Sequence, residues 1–131
     1  MRLHHVGIVV ENLATYGDAC GNFLGLSPDS LVFHDPIQKV HIQFWKDAGG
    51  NLLELIEPAA PDSPVCGVLK KGGGLNHLCY EVENFDEEVR LTLERGAIPA
   101  GAVAPAVAFS GRRVAFLFLP DLNLVEFVEA K

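Results

Sequence analysis

Two histidines and two glutamates recur as a set. His5 precedes Glu54 by 49 positions, and His77 precedes Glu126 by the same 49. The second pair follows the first at a constant offset of 72. Imidazole nitrogens and carboxylate oxygens are the donors that divalent Ni, Zn, Co, Mn or Fe accept. Both glutamates interrupt apolar runs, Leu52-Leu53-Glu54-Leu55-Ile56 and Leu124-Val125-Glu126-Phe127-Val128. A carboxylate in such a run is costly unless it is neutralised or paired. Two imidazoles and two carboxylates could meet that cost together by binding one divalent cation, which would keep positions for water or substrate. Taken singly, a strand histidine is more often a structural hydrogen-bonded residue, and a strand glutamate a solvated one. The matched recurrence turns the balance toward a metal site.

The residues around these four repeat as well. Leu3-His4-His5-Val6-Gly7-Ile8-Val9-Val10-Glu11-Asn12-Leu13 aligns without a gap on Leu75-Asn76-His77-Leu78-Cys79-Tyr80-Glu81-Val82-Glu83-Asn84-Phe85. Asn51 to Glu57 aligns on Asn123 to Glu129 at the same offset. The chain is therefore two copies of one unit. Residues 1–58 form module one, 59–74 a Pro- and Gly-containing linker with one short helix, and 75–131 module two. In the first module, apolar periodicity predicts a strand over 2–10, a helix over 13–24 and a short strand near 31–33. Strands over 40–45 and 51–57 follow. Asn12 is a candidate cap and Gly25 a stop for the helix, whose apolar positions are Leu13, Tyr16, Ala19, Cys20, Phe23 and Leu24. The second module repeats the order: a strand over 75–82, a helix capped by Asn84 and running to Glu94, and a weak strand over 101–109. Two further strands cover 113–119 and 123–129. The expected class is α+β, two tandem βαβββ modules forming a shared curved mixed sheet around a metal-containing cavity.

Strand parity sets the expected orientation. His5 lies opposite Val6, Ile8 and Val10, and His77 opposite Leu78, Tyr80 and Val82. Val40, Ile42 and Phe44 are expected to pack on the helix. His41, Gln43 and Trp45 would then face the cavity. Glu57 and Glu129 repeat too, but on the other parity from Glu54 and Glu126, and read as solvated strand ends.

A chain of 131 residues can bury a single core, while a unit of half that length would be marginal alone. A hydrophobic content of 49% against 21% charged residues argues for a folded domain. The net charge of −7 makes nucleic acid and anionic membranes poor partners. No apolar run approaches a membrane span. Three cysteines without a C-x-x-C pair, and an N-terminus that enters a strand directly, read as a reduced cytoplasmic protein without a signal peptide.

Paired βαβββ units carrying His, Glu, His and Glu resemble the vicinal oxygen chelate superfamily, of glyoxalase, bleomycin resistance protein and dioxygenase type. Within it the chain is most similar to the methylmalonyl-CoA epimerase family. The likeness covers essentially the whole chain. It rests on Leu3 to Val10, Glu54-Leu55-Ile56-Glu57-Pro58, Asp62-Ser63-Pro64, Gly74-Leu75-Asn76-His77 and Gly111-Arg112-Arg113-Val114-Ala115-Phe116. The resemblance implies metal ligands at His5, Glu54, His77 and Glu126, one divalent ion as cofactor, and abstraction of a proton next to a carbonyl. Epimerases of the family commonly place a glutamate base on the strand that here reads Val40-His41-Ile42-Gln43. His41 is therefore a candidate base or substrate contact, with Glu54 and Glu126 as alternative bases. Gln43 and Arg113 are candidate substrate contacts. Glyoxalase I has the same four ligand types, so a glyoxalase-like enzyme stays open. So does a metal-free binding or resistance protein, with a cleft lined by Trp45, Phe33 and Phe127. The expected partners are a small carbonyl or thioester substrate and a second copy of the chain in a homodimer.

Overall fold

A computed structural model describes residues 1–131. The chain divides into two compact units, one of residues 5–76 and one of residues 77–131 together with Met1–His4. The elements run β1 (Arg2–Val9), α1 (Leu13–Leu24), β2 (Ser27–Pro28), β3 (Phe33–Asp35), β4 (Val40–Lys46), β5 (Leu52–Pro58) and α2 (Cys66–Lys70). After these come β6 (Gly74–Val82), α3 (Phe85–Glu94), β7 (Ile98–Pro99), β8 (Ala104–Pro105), β9 (Arg113–Phe118) and β10 (Leu124–Glu129). The repeated order is the βαβββ expected from the internal duplication. Two-residue strands at Ser27–Pro28 and Ile98–Pro99 are additions. Residues 101–109 hold only β8 and a 3-10 turn, Val107–Phe109, in place of a longer strand. Pro105 has no N–H to donate, and this confines pairing to the edge of β9.

In the unit of residues 5–76 the sheet order is β2-β4-β5-β1, with β3 also on β4. β1 and β5 are parallel, and the β4 pairings are antiparallel. In the other unit β6 and β10 are parallel, β10 and β9 antiparallel, and β7 and β8 both pair with β9. Each sheet is therefore mixed, with its helix on one face.

The caps of α1 follow from its sequence. Asn12 is extended and its side chain accepts from the Thr15 N–H at 2.9 Å. Gly25 ends the helix in the left-handed region, φ 68°, which glycine adopts without steric cost. The buried stripe is narrower than the apolar periodicity suggests. Leu13, Gly17 and Cys20 are buried, whereas Tyr16, Phe23 and Leu24 are exposed. The helix touches its sheet through Gly17, where an added Cβ would lie 2.6 Å from Trp45 Cζ2. The indole fills the place a larger residue at 17 would occupy. Leu13 joins Val10, Leu55, Ile8 and Trp45 in one cluster. In the other unit Phe85, Val89 and Leu93 of α3 pack on Val82, Ala115, Leu117, Val125 and Phe127. Asn84 precedes α3 without a side-chain cap bond, contrary to expectation. The first turn of α3 carries Asp86, Glu87 and Glu88 instead, a charge distribution that suits its N-terminus.

Candidate metal and active site

Each unit presents one His–Glu pair on the sheet face away from its helix. In the register of β1 with β5, Gly7 lies beside Glu54, so His5, two residues earlier, shares the face of Glu54. His5 Nε2 is 3.6 Å from Glu54 Oε2. In the other unit Cys79 lies beside Glu126 in the register of β6 with β10, so His77 shares that face. His77 Nε2 is 3.0 Å from Glu126 Oε2. All four side chains are buried, with residue exposures of 1% and 5% in the first pair and 3% and 2% in the second. Within each unit the histidine and the glutamate are thus buried side by side, His5 with Glu54 and His77 with Glu126.

A phenyl ring buttresses each imidazole. Phe44 stands opposite Glu54 on β4, with its centroid 5.3 Å from that of His5 and the planes inclined 72°. Phe116 stands opposite Glu126 on β9, 5.3 Å from His77 and inclined 88°. Both are edge-to-face contacts. Phe44 and Phe116 are themselves 72 positions apart. They are the site residues that the reading of motifs passed over, although the repeat offset was sufficient to find them. Fully buried Cys79, beside Glu126, was passed over as well.

The same registers overturn the orientation expected for β4. Val40, Ile42 and Phe44 are buried on the face of His5 and Glu54, whereas Trp45 lies against Gly17 of α1. His41 and Gln43 share the parity of Trp45 and therefore face the helix side. His41 stands opposite Glu57, not Glu54. This removes the geometric basis for His41 as the base. Gln43 is likewise occupied: its Nε2 donates to the Ser30 carbonyl at 3.1 Å and its Oε1 accepts from Trp45 Nε1 at 3.2 Å. It holds the indole in place and is not arranged to receive a substrate. The physical reason for the inversion is that an apolar side need not face a helix. Here it surrounds a buried polar pair, and the small Gly17 admits the one large aromatic of the other side.

Arg113 is also on the helix side. Its guanidinium forks onto Asp86 at 2.9 and 3.1 Å, and onto Glu129 at 3.1 and 2.8 Å. It also lies over the Phe85 ring at 4.8 Å. Bonds to Glu129 and Asp86 push its pKa further above the ordinary arginine value, and Glu129 is held below the usual carboxylate range chiefly by Arg113. Arg113 thus ties α3 to the sheet, and two carboxylates already compensate its charge. Arg112 donates to Glu81 at 3.0 Å and to the Glu129 carbonyl at 2.8 Å. Glu57 accepts from the Leu13 N–H at 3.2 Å, so it serves the start of α1. Trp45 and Phe127 belong each to its own unit's helix-side core.

The donor set fits a divalent cation in chemistry. Imidazole nitrogen and carboxylate oxygen occur together in each pair, are screened from water, and are oriented by an aromatic neighbour. No helix is long and apolar enough to cross a membrane.

The chain is similar to known proteins in sequence and in fold. The chain is 33% identical over 128 residues to the ethylmalonyl-CoA/methylmalonyl-CoA epimerase of Cereibacter sphaeroides, covering 93% of this chain and 91% of that one. It is 32% identical over 133 residues to the human mitochondrial methylmalonyl-CoA epimerase, covering 98% of this chain and 74% of that one. Among solved structures, the Mycobacterium tuberculosis methylmalonyl-CoA epimerase superposes with a TM-score of 0.84 at 22% identity, over 99% and 88% of the two chains. The Streptomyces coelicolor enzyme in complex with 2-nitronate-propionyl-CoA gives 0.82 at 22%, over 99% and 97%. These two share the fold. Residues 4–116 match the Glyoxalase/Bleomycin resistance protein/Dioxygenase superfamily over most of the chain, and with two His–Glu pairs at its duplicated positions the chain belongs to that superfamily.

Proposed function

We propose that the chain is an epimerase of the methylmalonyl-CoA type, inverting the α-carbon of a 2-methyl-branched acyl-CoA thioester. The observation that carries the reading is one His–Glu pair per unit, buried at positions 72 apart. The relatives named above extend it to substrate class, since they are epimerases over nearly the whole of this chain.

His5, Glu54, His77 and Glu126 would together hold one divalent cation. Bound there, it would supply a Lewis acid for the thioester carbonyl oxygen. The chain's own residues would do the rest. Glu54 is the more loosely paired of the two glutamates, 3.6 Å from its imidazole against 3.0 Å for Glu126. We assign Glu54 as the base that takes the α-proton onto a carboxylate oxygen. The C–H electron pair would pass into the carbonyl to give the enolate; inversion would then require Glu126 to enter as the neutral acid and return its proton to the opposite face, after which exchange with solvent would reset protonated Glu54 and ionised Glu126. No serine elbow, dinucleotide fingerprint or redox centre occurs, so nucleophilic and hydride chemistry have no residues to carry them.

The test is incubation of metal-loaded protein with methylmalonyl-CoA in deuterated water, followed by NMR. Deuterium is expected at the α-carbon without consumption of the thioester. A glutathione hemithioacetal, run in parallel, is expected to remain unconverted. No exchange despite bound metal would overturn the epimerase reading. A homodimer is expected by sedimentation. Phe23, Leu24 and Leu31, exposed at 86%, 67% and 83%, support such an association.

A further inference from the structure

Three histidines lie outside the site, His4, His34 and His41, and the last two are neighbours. His34 on β3 and His41 on β4 are register partners in an antiparallel pair. Their ring centroids lie 4.9 Å apart with the planes inclined 32°, unlike the edge-to-face rings that buttress His5 and His77. On the next strand Glu57 is the register partner of His41. Partners across neighbouring antiparallel strands point to one face with Cβ atoms about 4.5–5.5 Å apart. His34, His41 and Glu57 therefore form a row across three strands, on the helix side of the sheet. The Leu13 N–H anchors the Glu57 carboxylate in that row at 3.2 Å. His34 is exposed, and His41 and Glu57 are half-buried, so solvent ions reach them.

We propose that His34 and His41 form a second divalent transition-metal site, with Glu57 as its carboxylate donor and water at the remaining positions. The three donor atoms are not gathered in the structure; the paired imidazoles would turn one nitrogen each toward the ion, about 2.0–2.1 Å away. The donor set selects Zn2+, Ni2+ or Cu2+ over Mg2+, which prefers an all-oxygen shell. The site is independent of the His5–Glu54 pair, because β4 turns its other face to that pair.

The experiment is calorimetric titration of the metal-stripped protein with Zn2+, repeated on His34→Ala and His41→Ala, with thermal unfolding as the folding control. Both variants are expected to lose one equivalent of Zn2+ relative to the wild type. His34→Ala, altered at an exposed position, keeps the test open if His41→Ala folds poorly. Mg2+ is expected to leave this site empty. His77→Ala removes a donor of the other centre only, so the equivalent lost there is a different one. Equal Zn2+ stoichiometry in the wild type and His34→Ala would overturn the proposal.

Discussion

At the residue scale, each proposed ligand sits in an environment that tolerates its removal unequally. His77 is buried beside Glu126 but faces away from the α3 cluster. His77→Ala is therefore expected to abolish metal retention while the protein stays folded, read by elemental analysis and circular dichroism. Unchanged metal content would sink the assignment. Phe44 touches the His5 ring edge-to-face, and its proposed role is to act through that imidazole and not on the ion itself. Phe44→Leu keeps an apolar side chain of similar reach but loses the ring edge, a contact of about 0.5–1.5 kcal/mol. Metal affinity is expected to fall by several-fold, with Phe44→Tyr recovering much of it, and unfolding should shift little. A Phe44→Leu protein that binds metal as tightly as the wild type would show that the ring only fills space. The four proposed ligands were legible in the sequence because a carboxylate amid apolar residues is an anomaly, and because duplication printed the anomaly twice. The phenyl rings were passed over because an aromatic on an apolar strand is no anomaly, and only their recurrence at the offset of 72 marks them.

At the element scale, helix α1 shows why periodicity alone mispredicts. Helix propensity favours Ala over Gly by about 1 kcal/mol in a helix interior. At Gly17 the expected sign is the reverse, since the new methyl would meet the Trp45 ring at 2.6 Å. Overpacking of this kind costs about 1–3 kcal/mol. Gly17→Ala is expected to lower the urea midpoint, and a raised midpoint would mean that α1 does not lie as described. The same close approach reversed β4: its two faces, Val-Ile-Phe and His-Gln-Trp, differ in polarity, but the choice between them was made by a glycine on another element. Strand existence was legible from alternation; strand facing depended on a tertiary contact.

Helix α3 is anchored differently, through Arg113 to Asp86 and Glu129. Glu129 is held below the usual carboxylate range in the fold, chiefly by its bond to Arg113. Its contribution to stability is thus fully present above the unfolded value of about 4.3. It is lost as pH falls through the lower folded value. Arg113→Met is expected to raise the pH of the acid-unfolding midpoint. It should leave metal retention intact, because the guanidinium is not in the site. Coincident acid-unfolding curves for the two proteins would show that this pairing does not stabilise the fold.

At the scale of the whole molecule, the proposed function would depend on both copies. One imidazole and one carboxylate hold a divalent ion poorly, whereas four donors of these types leave a cation with open positions and the affinity to stay. The proposed sharing of one cation by both pairs makes the copies jointly indispensable. His5→Ala and His77→Ala are then each expected to lose the metal and the α-proton exchange in full. The double variant is expected to be no worse than either, because removing one ligand already dismantles the unit that acts. Two separate two-ligand sites would behave otherwise: each single variant would keep half the metal, and the double variant alone would lose all of it. Elemental analysis of the three variants, with the His34–His41 row removed by His34→Ala in every case, separates the two outcomes.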